Sequence, residues 1–520
     1  VNALIAFFRR TADSRITPWL AIAVGALNTL SFAPFSLWWV QILTLAWLFH
    51  ASLSAPTYKR SLGIAWLYGL GWATAGTHWL FISMHEFGGM PAIMAALAVV
   101  LLAAYLGIYT ALALGLTRYI NHRLHTAPAI GLLLVLPACW ALSEWLRGWF
   151  FTGFPWLTSG YAHSNSPFAG VAAVFGVYGL SAISALLAGT LLLLARKQLT
   201  SRITIAALVL GLVAAGGLRY IDWTHPSGNP ITTRLVQGNV PQEMKFASDT
   251  LLSSLLMYDS AIRAETADLI AIPETAIPLL PQQLPPAYLS NLEQYARTSG
   301  SHLILGIPMS DGPGLYANSA LGIGPDSSSN QRFYRYDKQH LVPFGEFVPW
   351  GFQWFVDMMD IPLGDMVRGT LTQAAFPIKD QWVLPNICYE DLFGEDIVAQ
   401  FAYAKAAGIP APTVLLNLSN IAWFGDSIAL PQHLQISQMR ALETGRPMLR
   451  ATNTGATAII DPKGHIAYAL PAFTRDTLSA SVQGYSGQTP YIVWGNTGIV
   501  LLSGLILVLI WIIQSRRRRN

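Results

Sequence analysis

The chain has 520 residues, enough for two or more folding units. Only 11% of them are charged and 53% are hydrophobic, with 18 Trp, whereas an ordinary soluble domain is about 25% charged. That excludes a wholly soluble protein and leaves much of the surface to face lipid. The net charge of +4 is too small to point to nucleic acid, and the two cysteines, Cys139 and Cys388, lie in segments too unlike to suggest a disulfide framework.

From the amino-terminal side, apolar stretches long enough for membrane helices succeed one another at about 17–33, 36–53, 61–82, 92–117, 127–146, 168–195 and 203–220. Pro34, between Phe32 and Phe35, also allows the first two to form one tight hairpin. No small-residue cleavage site follows the first run, which therefore reads as a retained span and not a signal peptide. An eighth stretch, about 493–513, precedes Arg516–Arg519. Basic residues cluster before the first span (Arg9, Arg10, Arg15), after the second (Lys59, Arg60), after the fourth (Arg118, Arg123) and after the sixth (Arg196, Lys197, Arg202). The positive-inside bias then places both termini in the cytoplasm and the segment between the seventh and eighth spans on the opposite side, the periplasm of a bacterium. Glu144 and Arg147, one turn apart at the end of the fifth span, read equally as a structural ion pair or as a head-group contact. Cys139, in an apolar run, reads as packing.

Residues 224–490 have a different pattern. Short β-type runs at Arg234–Gly238, Leu269–Pro273, Leu303–Ile307, Tyr316–Ile323, Arg332–Tyr336, Trp382–Ile387, Thr413–Leu418 and Ala456–Ile460 alternate with helical periodicity near 249–265, 287–299, 395–407 and 430–444. Asp461-Pro-Lys-Gly464 reads as a hairpin turn. Such alternation predicts an α/β layered domain. The expected organisation is a membrane domain at 1–223, a soluble domain at 224–490, and a final span with a basic tail at 491–520.

Three of the apolar runs end in reactive side chains: Leu269-Ile-Ala-Ile-Pro-Glu274, Phe333-Tyr-Arg-Tyr-Asp-Lys338 and Trp382-Val-Leu-Pro-Asn-Ile-Cys388. Sites in α/β sheets form beyond the carboxyl ends of strands, so three such ends can converge. Each residue alone has a plainer reading, since a cysteine on an apolar strand is usually core and a strand-end charge is usually solvated. Together they supply a nucleophilic thiol, a cation that favours its thiolate and stabilises an oxyanion, and a carboxylate that shuttles the proton. A backbone N–H just after the cysteine would share the oxyanion.

Pro273-Glu-Thr-Ala276, Asp337-Lys-Gln-His-Leu-Val-Pro-Phe-Gly-Glu346 and Asn386-Ile-Cys-Tyr-Glu390 together resemble the Glu–Lys–Cys triad of the nitrilase superfamily. The second of these, Asn417-Leu-Ser-Asn-Ile-Ala-Trp-Phe-Gly425 with Gln432-His433, and the membrane motifs Phe87-Gly-Gly-Met-Pro91, Leu146-Arg-Gly-Trp149 and Thr152-Gly-Phe-Pro-Trp156 resemble the apolipoprotein N-acyltransferase family over essentially the whole chain. The resemblance implies a membrane α-helical bundle of about eight spans joined to a nitrilase-like αββα sandwich. It implies Glu274 as base, Lys338 as oxyanion stabiliser and Cys388 as nucleophile, with Glu346, Tyr389 and Glu390 in support. Gln237 and Trp423 stand in its motifs as further supporting or substrate-binding candidates. Family members often carry a Trp on the loop after Val236-Gln-Gly-Asn-Val-Pro241; this chain has Phe246 there, which keeps a ring without an indole N–H.

The activity so implied is ping-pong acyl transfer without cofactor or metal. A phospholipid acylates Cys388, and the thioester passes to the α-amine of an S-diacylglyceryl cysteine at the start of an apolipoprotein. Partners are then a phospholipid donor, the apolipoprotein acceptor and membrane lipid, with no nucleic acid, and the protein is expected to be a monomer in the bacterial inner membrane. Aromatic residues at Trp149–Trp156 and at 350–355 would line an acyl groove or simply form an interfacial belt. Two rivals remain open at this point. One is a membrane-anchored amidase with the same triad, for which a single span would suffice. The other is a transporter with an inactive periplasmic domain, disfavoured by the scarcity of ionisable residues in the spans.

Overall fold

The computed structural model describes residues 14–244, 248–327, 333–353 and 366–517. It divides into two compact units. The first comprises the described residues of Val1–His85, Met90–Ile221 and Trp494–Asn520; the second comprises Glu86–Gly89 and Asp222–Val493.

In the first unit the main helices are α1 (Thr17–Leu27), α2 (Trp38–Leu53), α3 (Tyr58–Thr77), α4 (Ala92–Leu124), α5 (Leu136–Arg147), α6 (Ala172–Ala195) and α7 (Arg202–Gly217). With the last helix, Thr497–Arg517, they put helix at all eight expected stretches. By length and apolarity, five among the described residues qualify as spans: Ala92–Leu124, Pro128–Arg147, Ala169–Ala195, Arg202–Tyr220 and Thr497–Arg517. The first three expected stretches are helical too, but shorter or less apolar than these five. The α1 helix runs for only 11 residues before a 3-10 turn at Asn28–Ser31, and α2 for 16. At 20 residues α3 is long enough, but glycine and aromatic residues dilute its apolarity.

Those glycines have a packing role. A Cβ on Gly71 of α3 would lie 2.1 Å from the Ile22 carbonyl oxygen of α1, and one on Gly25 of α1 would lie 2.0 Å from the Tyr68 oxygen of α3. Lipid offers no hydrophobic drive between helices, so close backbone approach through small residues does the packing. The α7 helix, by contrast, buries none of its residues and exposes Ile203, Leu210 and Val213, as a lipid-facing helix would. Cys139 packs against Ile120, Leu124, Val135 and Ile510. Glu144 lies 3.6 Å from Arg147 and accepts hydrogen bonds from the Ser159 N–H (3.0 Å) and Oγ (2.7 Å), so the pair ties the end of α5 to the following loop.

The second unit carries β1 (Thr224–Pro226), β2 (Ile231–Gln237), α8 (Ser248–Arg263), β3 (Leu269–Ala271), α9 (Tyr288–Ser299), β4 (His302–Gly312), β5 (Leu315–Ile323), β6 (Tyr334–Asp337), β7 (Phe376–Ile378), β8 (Gln381–Ile387), α10 (Gly394–Ala407), β9 (Val414–Ser419), α11 (Ala429–Thr444), β10 (Met448–Thr452), β11 (Ala458–Ile460), β12 (Ile466–Ala469), β13 (Asp476–Val482) and β14 (Tyr485–Gly487). Two six-stranded sheets run in the orders β13-β2-β3-β4-β5-β6 and β12-β11-β10-β9-β8-β7, and β1 pairs with β14. Their facing sides share one core that includes Leu235, Ala271, Ile304 and Ala320 from the first sheet and Val383, Ile387, Leu416 and Leu449 from the second. The outer face of the first sheet is covered by α8 and α9 through Leu255, Ile262, Leu292 and Ala296. The second is covered by α10 and α11 through Ile397, Phe401 and Ala441. This is the αββα sandwich.

Central strands β2, β3 and β4 pair in parallel, as do β8, β9 and β10. Strands buried on both faces read as nearly continuous apolar runs, which is how Leu269–Pro273 and Thr413–Leu418 are visible in the sequence. The Asp461–Gly464 turn joins antiparallel β11 and β12 as expected, with the Gly464 N–H donating to the Asp461 carbonyl at 3.0 Å.

Candidate active site

Glu274, Lys338 and Cys388 each stand just past the carboxyl end of a strand, β3, β6 and β8 respectively. All three belong to the second unit. Glu274 is brought close to β4 by Gly306, where a Cβ would lie 2.0 Å from the Pro273 carbonyl oxygen. Lys338 shares the parity of Tyr336, whose ring lies in the core between the sheets, so its stem continues that inner face.

The Lys338 ammonium is 1% exposed and held between two carboxylates. Its Nζ donates to Glu274 Oε1 at 3.1 Å and to Glu346 Oε1 at 2.8 Å. Asn318 Nδ2 donates to the same two oxygens, each at 2.8 Å. The remaining oxygens are taken by backbone: Glu274 Oε2 by the Asn420 N–H and Glu346 Oε2 by the Val342 N–H, both at 2.8 Å. Burial lowers the affinity of Lys338 for its proton, but Glu274 and Glu346 outweigh it and the pKa is raised, so the ammonium is fixed.

Cys388 opens a 3-10 turn, Cys388–Leu392, at the end of β8 and takes a φ of +52°. Such a conformation is costly for a non-glycine residue and persists only where its surroundings enforce it. The thiol is hydrogen-bonded to Glu274. Burial, then the Glu274 charge, raise its pKa, and Lys338 offsets this only in part. The resting group is therefore a thiol. Lys338 does favour the thiolate, as expected from the sequence, but burial and Glu274 outweigh it.

Glu390 ties the cysteine turn to the lysine loop. Its Oε2 accepts from the Ile387 N–H (2.6 Å) and the Tyr336 hydroxyl (3.0 Å), and its Oε1 from the Gln339 N–H (2.7 Å). Burial pushes its pKa up to about 7. Tyr389 is buried, with its ring 5.3 Å from that of Phe393 in an edge-on contact. Trp423 is 39% exposed on the Ile421–Phe424 turn, edge-on to Phe87 of the same unit at 5.9 Å. Gln237 Nε2 donates to the Pro471 and Thr474 carbonyls, each at 2.8 Å, and among the described residues no hydrogen bond links it to the triad. Phe246 lies outside the described residues, as do Trp354 and Phe355.

Asn318 was not singled out from the sequence, and Asn420 and His433 stood only inside its motifs, with no role given. Asn318 left a signal, since it occupies the same face of β5 as the core residue Ala320 and a polar side chain there needs a partner. His433, buried on α11, places Nε2 3.2 Å from the Cys388 carbonyl oxygen. The Gln432-His433 motif drew attention to it, but nothing in the sequence ties it to Cys388.

A buried acid–ammonium–acid array beside a strand-end cysteine, on an αββα sandwich, defines the carbon–nitrogen hydrolase class. The carbon–nitrogen hydrolase family model matches residues 232–491, and the model of the apolipoprotein N-acyltransferase N-terminal domain matches residues 24–190. The chain is 48% identical to an apolipoprotein N-acyltransferase of Ralstonia nicotianae, over 96% of this chain and 93% of that protein. It is 41% identical to one of Nitrosomonas europaea, over 94% of this chain and 95% of that protein. The chain is also similar to a solved structure, Saccharomyces cerevisiae Nit3, at 15% identity and a TM-score of 0.35, covering 50% of this chain and 93% of that one. The chain belongs to the apolipoprotein N-acyltransferase family.

Proposed function

We propose that this protein transfers an acyl chain from a phospholipid, through a thioester on Cys388, to the amino-terminal amine of S-diacylglyceryl-cysteine apolipoproteins. The observation that carries this reading is the buried Glu274–Lys338–Glu346 array at Cys388, in a chain that also carries five helices long and apolar enough to span a membrane among the described residues. In the first half-reaction Cys388 Sγ attacks the ester carbonyl carbon, and Glu274 takes the thiol proton and returns it to the departing lysophospholipid oxygen. Lys338 and the N–H after Cys388 stabilise the oxyanion. In the second, the acceptor amine attacks the thioester, Glu274 removes its proton, and the proton is returned to the cysteine sulfur as the amide forms. Glu346, Glu390 and Asn318 fix these groups in place. Tyr389 walls the turn, while Trp423 and the Phe246 loop are candidate contacts for substrate.

The proposed organisation is a membrane domain at 1–223, a periplasmic catalytic domain at 224–490, and a final span with a cytoplasmic basic tail, the whole acting as a monomer in the inner membrane. The positive-inside pattern and the apolar helices on both sides of the catalytic segment support it. A lipid donor gives those helices a role that a small-amide hydrolase would not need.

The test supplies labelled-acyl phospholipid together with a synthetic S-diacylglyceryl-cysteine peptide to protein in detergent. The expected product is an amide on the peptide, stable to hydroxylamine, with one lysophospholipid released per amide. Release of free fatty acid with no peptide product, or hydrolysis of small amides alone, would overturn the proposal in favour of an amidase.

A further inference from the structure

The backbone at Cys388 is held from the side of the sheet and α11. Its carbonyl oxygen meets His433 Nε2 at 3.2 Å and Asn417 Nδ2 at 3.3 Å. The tautomer of His433 follows from its other contact. Arg450 Nη2 lies 2.7 Å from His433 Nδ1, and a guanidinium only donates, so Nδ1 accepts and Nε2 carries the hydrogen. Burial and the Arg450 charge keep this imidazole neutral. Arg450 is itself fully buried and seated, donating to Asp391 Oδ2 at 3.1 Å and to the Ala456 carbonyl at 3.0 Å, with Ser437 Oγ bridging it to Asp391. Asp391 lies in the same 3-10 turn as Cys388. One network therefore grips the turn at its first carbonyl and again three residues on.

A peptide plane has its C=O and N–H on opposite sides. Donors that hold the Cys388 carbonyl toward the buried face oblige the next N–H, that of Tyr389, to point to the other. We infer that His433, oriented by Arg450, is a positioning residue for acyl transfer. It fixes the Cys388–Tyr389 peptide so that its N–H faces the acyl carbonyl oxygen when the thiol attacks. The inference rests on the proposed thioester chemistry and assigns the orientation of one oxyanion donor to a residue that touches neither substrate nor thiol.

Two reactions of the same sulfur separate this role from a general one in folding. Acylation by phospholipid passes through an oxyanion, whereas alkylation by iodoacetamide displaces iodide and forms none. Both are followed on the Cys388 peptide in wild type, His433→Asn and His433→Gln. Loss of an oxyanion donor costs about 10²- to 10³-fold in rate, and that is the drop expected for acylation of His433→Asn, with alkylation within about threefold of wild type. His433→Gln, whose amide N–H reaches the place of Nε2, should regain at least about tenfold of the loss. Asn417→Ala, lacking the other donor, should show the same selective pattern and serves if His433→Asn fails to fold. Wild-type acylation rates in these variants, or acylation and alkylation falling together, would overturn the inference. Wild type that is alkylated at Cys388 but never acylated would instead overturn the acyl-transfer proposal beneath it.

Discussion

Where α1 meets α3 in the membrane unit, Gly25 and Gly71 bring backbones into contact, and α1 carries no charged residue. At the carboxyl ends of the sandwich strands, Glu274, Lys338, Glu346, Glu390, Asp391, His433 and Arg450 are all buried within one small region. The first arrangement costs little to desolvate and is sensitive to volume. The second carries a large desolvation cost, offset in large part because Lys338 sits between Glu274 and Glu346 and Arg450 against Asp391, with donors on most of the carboxylate oxygens. Shape holds the helices together; complementarity of charge holds the site. Each region should therefore fail to a different kind of substitution.

The largest effect is expected for Lys338→Met. It strips the counter-charge from Glu274 and Glu346 together, and removing one partner of a buried ion pair costs about 3–5 kcal/mol. Thermal unfolding in detergent should fall steeply and acyl transfer should vanish; a stable Met variant would show that the carboxylates do not need the ammonium.

Next is Glu390→Gln. Burial holds the Glu390 carboxyl at about 7 against an ordinary value of 4.5. A carboxyl with a raised folded pKa takes up a proton on folding, so its contribution to stability is fully present below about 4.5 and is lost as pH rises to about 7. Gln cannot ionise. Relative to wild type the variant should gain up to about 3 kcal/mol between pH 5 and pH 8, read as converging or crossing melting temperatures. Parallel pH profiles would contradict the assignment.

In the membrane unit a single methyl should be felt. Gly71→Ala puts a Cβ against the Ile22 carbonyl oxygen and should cost about 1–3 kcal/mol. The melting temperature should drop while the alkylation rate of Cys388 in the folded fraction stays unchanged. At the other extreme, Arg263 and Asp259 form an exposed i,i+4 pair on α8 at 2.9 Å. Its loss in Arg263→Ala should change stability by less than about 1 kcal/mol, and a larger loss would mean that surface charge matters more here than the core does.

The same contrast governs how much can be read without coordinates. Apolar runs and strand–helix alternation are consequences of burial, so the helices at the expected stretches and strands such as β3, β8 and β9 are visible in the sequence. The triad is legible because each member terminates such a run. Asn318 is not, nor is the tie of His433 to Cys388, because 44 and 45 residues of chain separate the partners. The β10 strand was missed for a related reason. Its Met448-Leu-Arg-Ala-Thr452 has a charge at the centre, which argues against a buried strand until Asp391 is found opposite. Gln237 is the reverse case: a motif position drew attention, and its amide donates to the Pro471 and Thr474 carbonyls.

The central claim is that Cys388 carries the acyl group. Protein in detergent would be incubated with a phospholipid bearing a labelled acyl chain, without acceptor, and its intact mass taken beside that of Cys388→Ser. A single acyl adduct that hydroxylamine removes, and that the Ser variant lacks, is the predicted result. No adduct on folded wild-type protein with its Cys388 thiol still free would contradict it.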